Sequence, residues 1–283
     1  MIFFIISLFK SLSISDYSNI LDNDDDDDNE TVILKNYNHS IHHIYIDIGC
    51  FNGETVEHFI HFTPNSLLYD IITFEPDPIN YRLCKKQLKQ KKYQNYNIII
   101  IRKAVWIHDE KVPFQINRGQ RSRIDLNKTS KYLLNQNRSV MLDAIDFSLW
   151  LSRLIKSNNT KLDIKISMPE AEVYVLRKMI IDETLTLAEK WNIAWTDRLN
   201  PRMRPIRLYV QSMLDSLGYS LEYSTNSYDI RQVFKMNGTA ANITRHKNWK
   251  ILPEVGTYCH YIQRPIVIDP PRTTKSRAKL KKF

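Results

Sequence analysis

A chain of 283 residues with 43% hydrophobic and 25% charged side chains has the make-up of a soluble globular protein, long enough to bury one sizeable core. Its three cysteines, Cys50, Cys84 and Cys259, show neither metal-ligand spacing nor a disulfide framework, so a zinc module is excluded and no metal is expected. The net charge of +9 is unevenly spread, with −7 on residues 1–30 and +16 on the remainder. Charge of this kind does not by itself identify a nucleic-acid enzyme, and no specific nucleic-acid partner is expected.

Residues 1–9 are almost wholly apolar and are followed by Lys10 and a serine-rich stretch. The apolar run is too short to span a bilayer. It has the character of a signal-peptide core or a truncated signal-anchor, without a basic start or a clear cleavage site. Residues 22–30 form an acidic block that repels itself and cannot bury apolar surface. Residues 1–40 are therefore expected to be leader and linker, 41–265 the folded domain, and 266–283 a basic disordered tail. Seven Asn-x-Ser/Thr sequons begin at Asn29, Asn38, Asn127, Asn137, Asn158, Asn237 and Asn242. With the apolar start they favour a secretory route or membrane association through the N-terminal segment.

The domain opens on Ile44-Tyr-Ile-Asp-Ile-Gly-Cys-Phe-Asn-Gly-Glu-Thr55. An apolar run over 44–48 is long enough for one buried strand, and 54–62 reads as a helix. Between them Gly49 and Gly53 provide a tight turn whose backbone can approach a ligand closely. Gly-x-x-x-Gly after an acid differs from the Gly-x-Gly-x-x-Gly that grips a pyrophosphate, which makes a nicotinamide oxidoreductase a distant alternative. A second strand, 70–74, ends in Glu75, 22 residues beyond Gly53, where an acid is placed to accept ribose hydroxyls. Pro76 and Pro78 stop that strand and open a helix over 78–92.

Residues 97–106 contain Ile98-Ile-Ile-Ile101 and read as one strand, followed by another at 112–116. The polar stretch 118–137, with Arg118, Arg121 and Arg123, reads as an exposed insertion or an acceptor clamp. A strand over 139–142 precedes an amphipathic helix over 143–155. Residues 162–166 form the next core strand, leading into a helix over 168–180 with Ser167-Met-Pro-Glu170 as its capping box. A strand at 193–195 and a helix over 202–217, closed by Gly218, follow. Late, partly antiparallel strands are expected at 219–223, 230–235 and 257–263. This alternation predicts an α/β fold with a doubly wound, mostly parallel sheet.

Ile46-Asp-Ile-Gly-Cys-Phe-Asn-Gly-Glu-Thr55 and Phe74-Glu-Pro-Asp-Pro78 resemble the FkbM-type S-adenosylmethionine-dependent methyltransferases. Lys103-Ala-Val105, Met141-Leu-Asp143 and the segment 162–172 add to the resemblance, which runs from about residue 44 to 196. It implies the class I methyltransferase (Rossmann-like) fold and S-adenosyl-L-methionine as cofactor. Asp47, Gly49, Gly53 and Glu75 are then its binding residues, with Asp47 near the amino-acid end and Glu75 on the ribose. It further implies O-methylation of a hydroxyl on a glycan or small metabolite, with Lys165 and Glu172 as catalytic candidates.

The chain departs from the pattern Lys-Ile-Asp-x-Glu-Gly-x-Glu at three positions: Ser167 replaces Asp, Pro169 replaces Glu and Glu170 replaces Gly. In Ile193-Ala-Trp-Thr196, Ala194 and Thr196 replace ionisable residues of a segment that often ends Glu-Trp-His. Two readings follow: an active methyltransferase, or a catalytically degenerate methyltransferase-like binding or scaffold domain.

Overall fold

Strand β1, His42–Ile48, sits inside the sheet with Ile44 to Ile48 all buried, as an apolar run flanked by parallel neighbours requires. The computed structural model describes residues 41–116, 119–126, 139–155, 159–196, 201–225 and 230–237. The chain divides into two units, Met1–Ala240 and Ala241–Phe283, and every described residue belongs to the first. The expected leader, the strand at 257–263 and the basic tail lie outside the described residues.

In chain order β1 is followed by α1 (Glu54–Phe62), β2 (Tyr69–Phe74), α2 (Pro78–Leu88), β3 (Asn97–Ile101), β4 (Ala104–Trp106) and β5 (Glu110–Gln115). Then come β6 (Arg123–Ile124), β7 (Ser139–Asp146), α3 (Phe147–Leu154), β8 (Thr160–Ile166) and α4 (Glu172–Ile181). The series closes with β9 (Lys190–Trp195), α5 (Arg204–Ser216), β10 (Tyr219–Ser224) and β11 (Ile230–Met236). The 7-stranded sheet runs β10-β11-β9-β8-β1-β2-β3. Pairing is parallel from β9 through β3, and β11 is antiparallel to both its neighbours. This is the doubly wound, mostly parallel sheet that the alternation predicts.

Each face has its own core. On one, α1 and α2 pack Val56, Phe59, Cys84 and Leu88 against Tyr45, Ile71 and Ile100, with the Tyr45 and Phe59 rings stacked 3.7 Å apart. On the other, Ile44, Ile46, Phe74, Ile164, Trp191 and Trp195 are at most 1% exposed, and α4 lies against β9 between α3 and α5. Burying each such side chain contributes about 1.5–3 kcal/mol. Gly218, with φ 87, terminates α5 as expected.

Four expectations are corrected. Residues 97–106 make two strands: β3 joins the main sheet, while β4 enters a second, 4-stranded sheet of order β4-β7-β5-β6. Strand β7 runs on through Asp143 to Asp146 because Met141 to Ala144 pair with β5, and Asp146 caps α3 by accepting from Leu149 N–H. The capping box at Ser167 does not form. Helix α4 starts only at Glu172, its N-cap Ala171 has no side-chain bond, and Ser167 N–H donates to Ile48 O at 3.0 Å instead. Finally, Cys50 and Cys84 form a disulfide across 34 residues of sequence, since the glycine turn and α2 are neighbours in space.

Candidate active site

The turn after β1 is held by main-chain bonds: Gly49 N–H and Cys50 N–H both donate to Phe74 O, at 3.0 and 3.1 Å. Gly49 (φ +93) is required sterically, because a Cβ there would lie 2.4 Å from Ser167 O at the end of β8. Gly53 (φ +89) is the N-cap of α1 and faces Gln87 on α2. Both glycines therefore serve contacts within the fold. Gly49 lines the cavity above the turn; Gly53 does not.

That cavity, about 1130 Å³, opens at the C-terminal ends of β1, β2, β8 and β9. This is where ligands of doubly wound sheets bind. Glu75 forms part of its wall and is 4% exposed. Its Oε2 accepts from Phe51 N–H at 2.7 Å and its Oε1 from Asp77 N–H at 3.0 Å, so it links the glycine turn to the start of α2. Burial pushes its carboxyl up to about 7, against the opposing pull of those two N–H donors. Asp77 caps α2 through Ile79 and Asn80 N–H and accepts from Ser122 Oγ at 2.7 Å. The segment 119–126 is thereby drawn over this end of the cavity, a placement that Asn80 reinforces by donating to Gly119 O at 3.1 Å.

Asp47 lies beneath the floor, fully buried and outside the cavity lining. Lys165 Nζ stands 2.8 Å from Asp47 Oδ1, an ion pair without hydrogen-bond alignment, and donates to Gly49 O at 2.8 Å. Asp47 Oδ2 accepts from Thr55 Oγ1 at 2.7 Å and from Thr73 Oγ1 at 3.3 Å. At this end the cavity thus meets Lys165 rather than the carboxylate. Glu172 is also fully buried and outside the lining; its Oε1 accepts from both the N–H and the hydroxyl of Thr196 at 2.7 Å. Thr196 Oγ1 in turn accepts from Glu170 N–H at 2.6 Å, and Glu170 pairs with Arg123. Glu170 has φ 69, the left-handed region that favours glycine, so its backbone is strained here.

Of the residues expected from sequence, Gly49, Glu75 and Lys165 meet at the cavity, whereas Asp47, Gly53 and Glu172 support it from behind. Ser167, Pro169, Ala194 and Thr196, the departures from the family pattern, also line it. Sequence reasoning missed Arg231, which strand β11 brings to the same cavity, because nothing in residue spacing predicts that β11 lies beside β9. Among the described residues no cluster of His, Cys, Asp or Glu is arranged to hold a metal ion, and no helix is long and apolar enough to cross a membrane.

No family model and no curated protein matches the chain. Solved structures do resemble it. Methyltransferase FkbM from Methylobacillus flagellatus is 16% identical, with a TM-score of 0.45 over 70% of this chain and 44% of its own. The chain therefore spans less than half of that protein. The SAH-bound methyltransferase PaMTH1 of Podospora anserina is 9% identical, with a TM-score of 0.37 over 69% of this chain and 72% of its own. The precorrin-6y C5,15-methyltransferase of Geobacter metallireducens is 12% identical, with a TM-score of 0.33 over 69% of this chain and 80% of its own.

Proposed function

We propose that this chain is a methyltransferase that uses S-adenosyl-L-methionine and acts on an oxygen of a small metabolite or glycan. The observation that carries the reading is Glu75. A buried carboxylate in the cavity wall, oriented by two main-chain donors, has lone pairs left to accept ribose hydroxyls. The other residues fit in part: Gly49 and Lys165 border the amino-acid end, while Asp47 acts on it only through Lys165. When bound, the cofactor supplies a methyl group already activated by its sulfonium, so the chain mainly has to align the acceptor and exclude water. The Cys50–Cys84 bond and the seven sequons support an oxidising, secretory setting.

The second reading, a domain that binds cofactor without turnover, is favoured by Ser167, Pro169, Ala194 and Thr196 in the cavity wall. One calorimetric series, followed by a methyl-transfer assay, separates the two. S-adenosylmethionine should bind, and Glu75→Gln should weaken it by roughly 1.5–3 kcal/mol. Because Glu75 titrates near 7 and accepts hydroxyl donors best when ionised, affinity should rise with pH through 7 and fall about tenfold per unit below it. The glutamine variant should show no such slope. Binding of a nicotinamide dinucleotide in place of S-adenosylmethionine would refute the assignment. Binding with no transfer to any hydroxyl acceptor would leave the second reading.

A further inference from the structure

The far end of the same cavity carries information about the acceptor, on the premise that the methyl-transfer reading holds. Among the described residues, four cations line the cavity: Lys165, Arg121, Arg123 and Arg231. Two are committed, Lys165 to Asp47 and Arg123 to Glu170. The guanidinium groups of Arg121 and Arg231 are exposed and make no ion pair or side-chain hydrogen bond with a described residue. The acids that line the cavity, Glu54, Glu75 and Asp77, all lie at the glycine turn, the first residue of α1 or the β2–α2 junction. Arg121 adjoins Ser122, whose hydroxyl bonds Asp77, and so stands with these acids at the end expected for the cofactor's ribose. Arg231 stands at the β9–β11 end, where no acid lines the cavity among the described residues.

The sheet fixes where that positive charge stands. Arg231 is the register partner of Ala194 in the antiparallel β11–β9 ladder, and its backbone exchanges bonds of 3.0 and 2.9 Å with Thr225. Directly paired residues share a face and touch. Ala194 contributes only a methyl group opposite Arg231. Within the described ladder, Arg231 therefore faces no carboxylate on β9. The cavity lining also includes the apolar side chains of Phe114, Ile124, Met168 and Pro169.

We infer that the acceptor carries a carboxylate, received by Arg231, with its apolar body against Ile124 and Met168. The guanidinium fork matches the two oxygens of a carboxylate bidentately. A phosphate monoester brings three oxygens and up to two charges. At this end, among the described residues, the remaining polar side chains include Thr196, whose hydroxyl is already bonded to Glu172 and Glu170.

The test is a panel of small carboxylic acids, each with its primary amide and its phosphonate, scored by saturation-transfer NMR on protein saturated with S-adenosylhomocysteine and on free protein. Acids should bind at least about tenfold tighter than their amides, the equivalent of 1.4 kcal/mol. Arg231→Gln should erase that preference. So should Ala194→Glu, by giving Arg231 a carboxylate across the strand, while affinity for S-adenosylhomocysteine stays within about twofold of the parent. Equal binding of acids and amides, binding by no member of the panel, a preference led by phosphonates, or a preference that survives Ala194→Glu would each overturn the inference. If S-adenosylhomocysteine itself does not bind, the donor assignment fails, and the measurements on free protein show separately whether the anion preference exists.

Discussion

The Cys50–Cys84 bond ties the glycine turn to α2 and closes a stretch of 34 residues. In the unfolded chain, closing a loop of that length removes about 13 cal/mol/K of entropy, or about 4 kcal/mol at 25 °C. Reducing the bond should therefore lower stability by that amount. The predicted loss is a large share of the 5–15 kcal/mol that typically holds a domain together. For a domain of this size it corresponds to a fall in melting temperature of about 8–16 °C. Urea unfolding of the oxidised protein and of protein kept in excess phosphine reductant measures the difference directly. The slope of each curve must be compared, since loss of the cross-link also exposes a more open denatured state. A Cys50→Ala/Cys84→Ala variant should lose somewhat more than reduced wild type, because both sulfurs belong to the buried cluster with Tyr45 and Phe59. Mass spectrometry that finds Cys50 and Cys84 as free thiols in native protein, or unfolding free energies that agree to within about 0.5 kcal/mol, would refute the reasoning.

Two further predictions concern stability. Gly49→Ala should cost about 3 kcal/mol or more, since it adds strain at φ +93 and drives a Cβ to 2.4 Å from Ser167 O, whereas Gly218→Ala, with nothing within 4 Å, should cost only about 1–2 kcal/mol; equal losses in urea melts would contradict the steric account. Glu57 on α1 accepts from Lys92, Tyr93 and Gln87, and these bonds, Lys92 first, hold its carboxyl down to about 2 from an ordinary 4.5. Its contribution is present above pH 4.5 and is lost as pH falls through 2, so Glu57→Gln should flatten acid unfolding in that window and leave the curve at pH 7–9 with its original slope.

Much of the main sheet was legible because its strands announce themselves twice. Each is a short apolar run, and each ends where chemistry demands a particular residue: glycine after β1, Glu75 and Pro76 after β2. The same logic failed at 97–106, where Arg102 and Lys103 separate two apolar stretches that enter different sheets. A composition window sees one hydrophobic segment, because the bend is set by long-range pairing of Ala104 to Trp106 with β7. The Ser167 to Glu170 segment misled for a related reason. Its spacing is that of a helix cap, yet Ser167 N–H is drawn to Ile48 O and Glu170 N–H to Thr196, partners more than 25 residues away. At the site, Glu75 was recoverable from spacing. The position of Asp47 behind Lys165 was not, since the two are 118 residues apart and meet only through the β1–β8 register.

That meeting has a consequence for how the site can change. One carboxylate, Asp47, joins β8 through Lys165, α1 through Thr55 and β2 through Thr73. Those segments come from three separate stretches of sequence, yet their polar partners share a single water-excluded anchor. Removing Lys165 alone would strand a buried anion, and removing Asp47 alone would strand a buried cation and two hydroxyls. Single substitutions here are therefore strongly coupled, and double-mutant cycles across the set should depart far from additivity. Any evolutionary route that retunes the floor of this cavity has to pass through concerted exchange of these side chains or through a less stable intermediate. Redesign for a different donor is correspondingly easier at the rim, where exposed Gln120 and Arg121 stand, than at the floor.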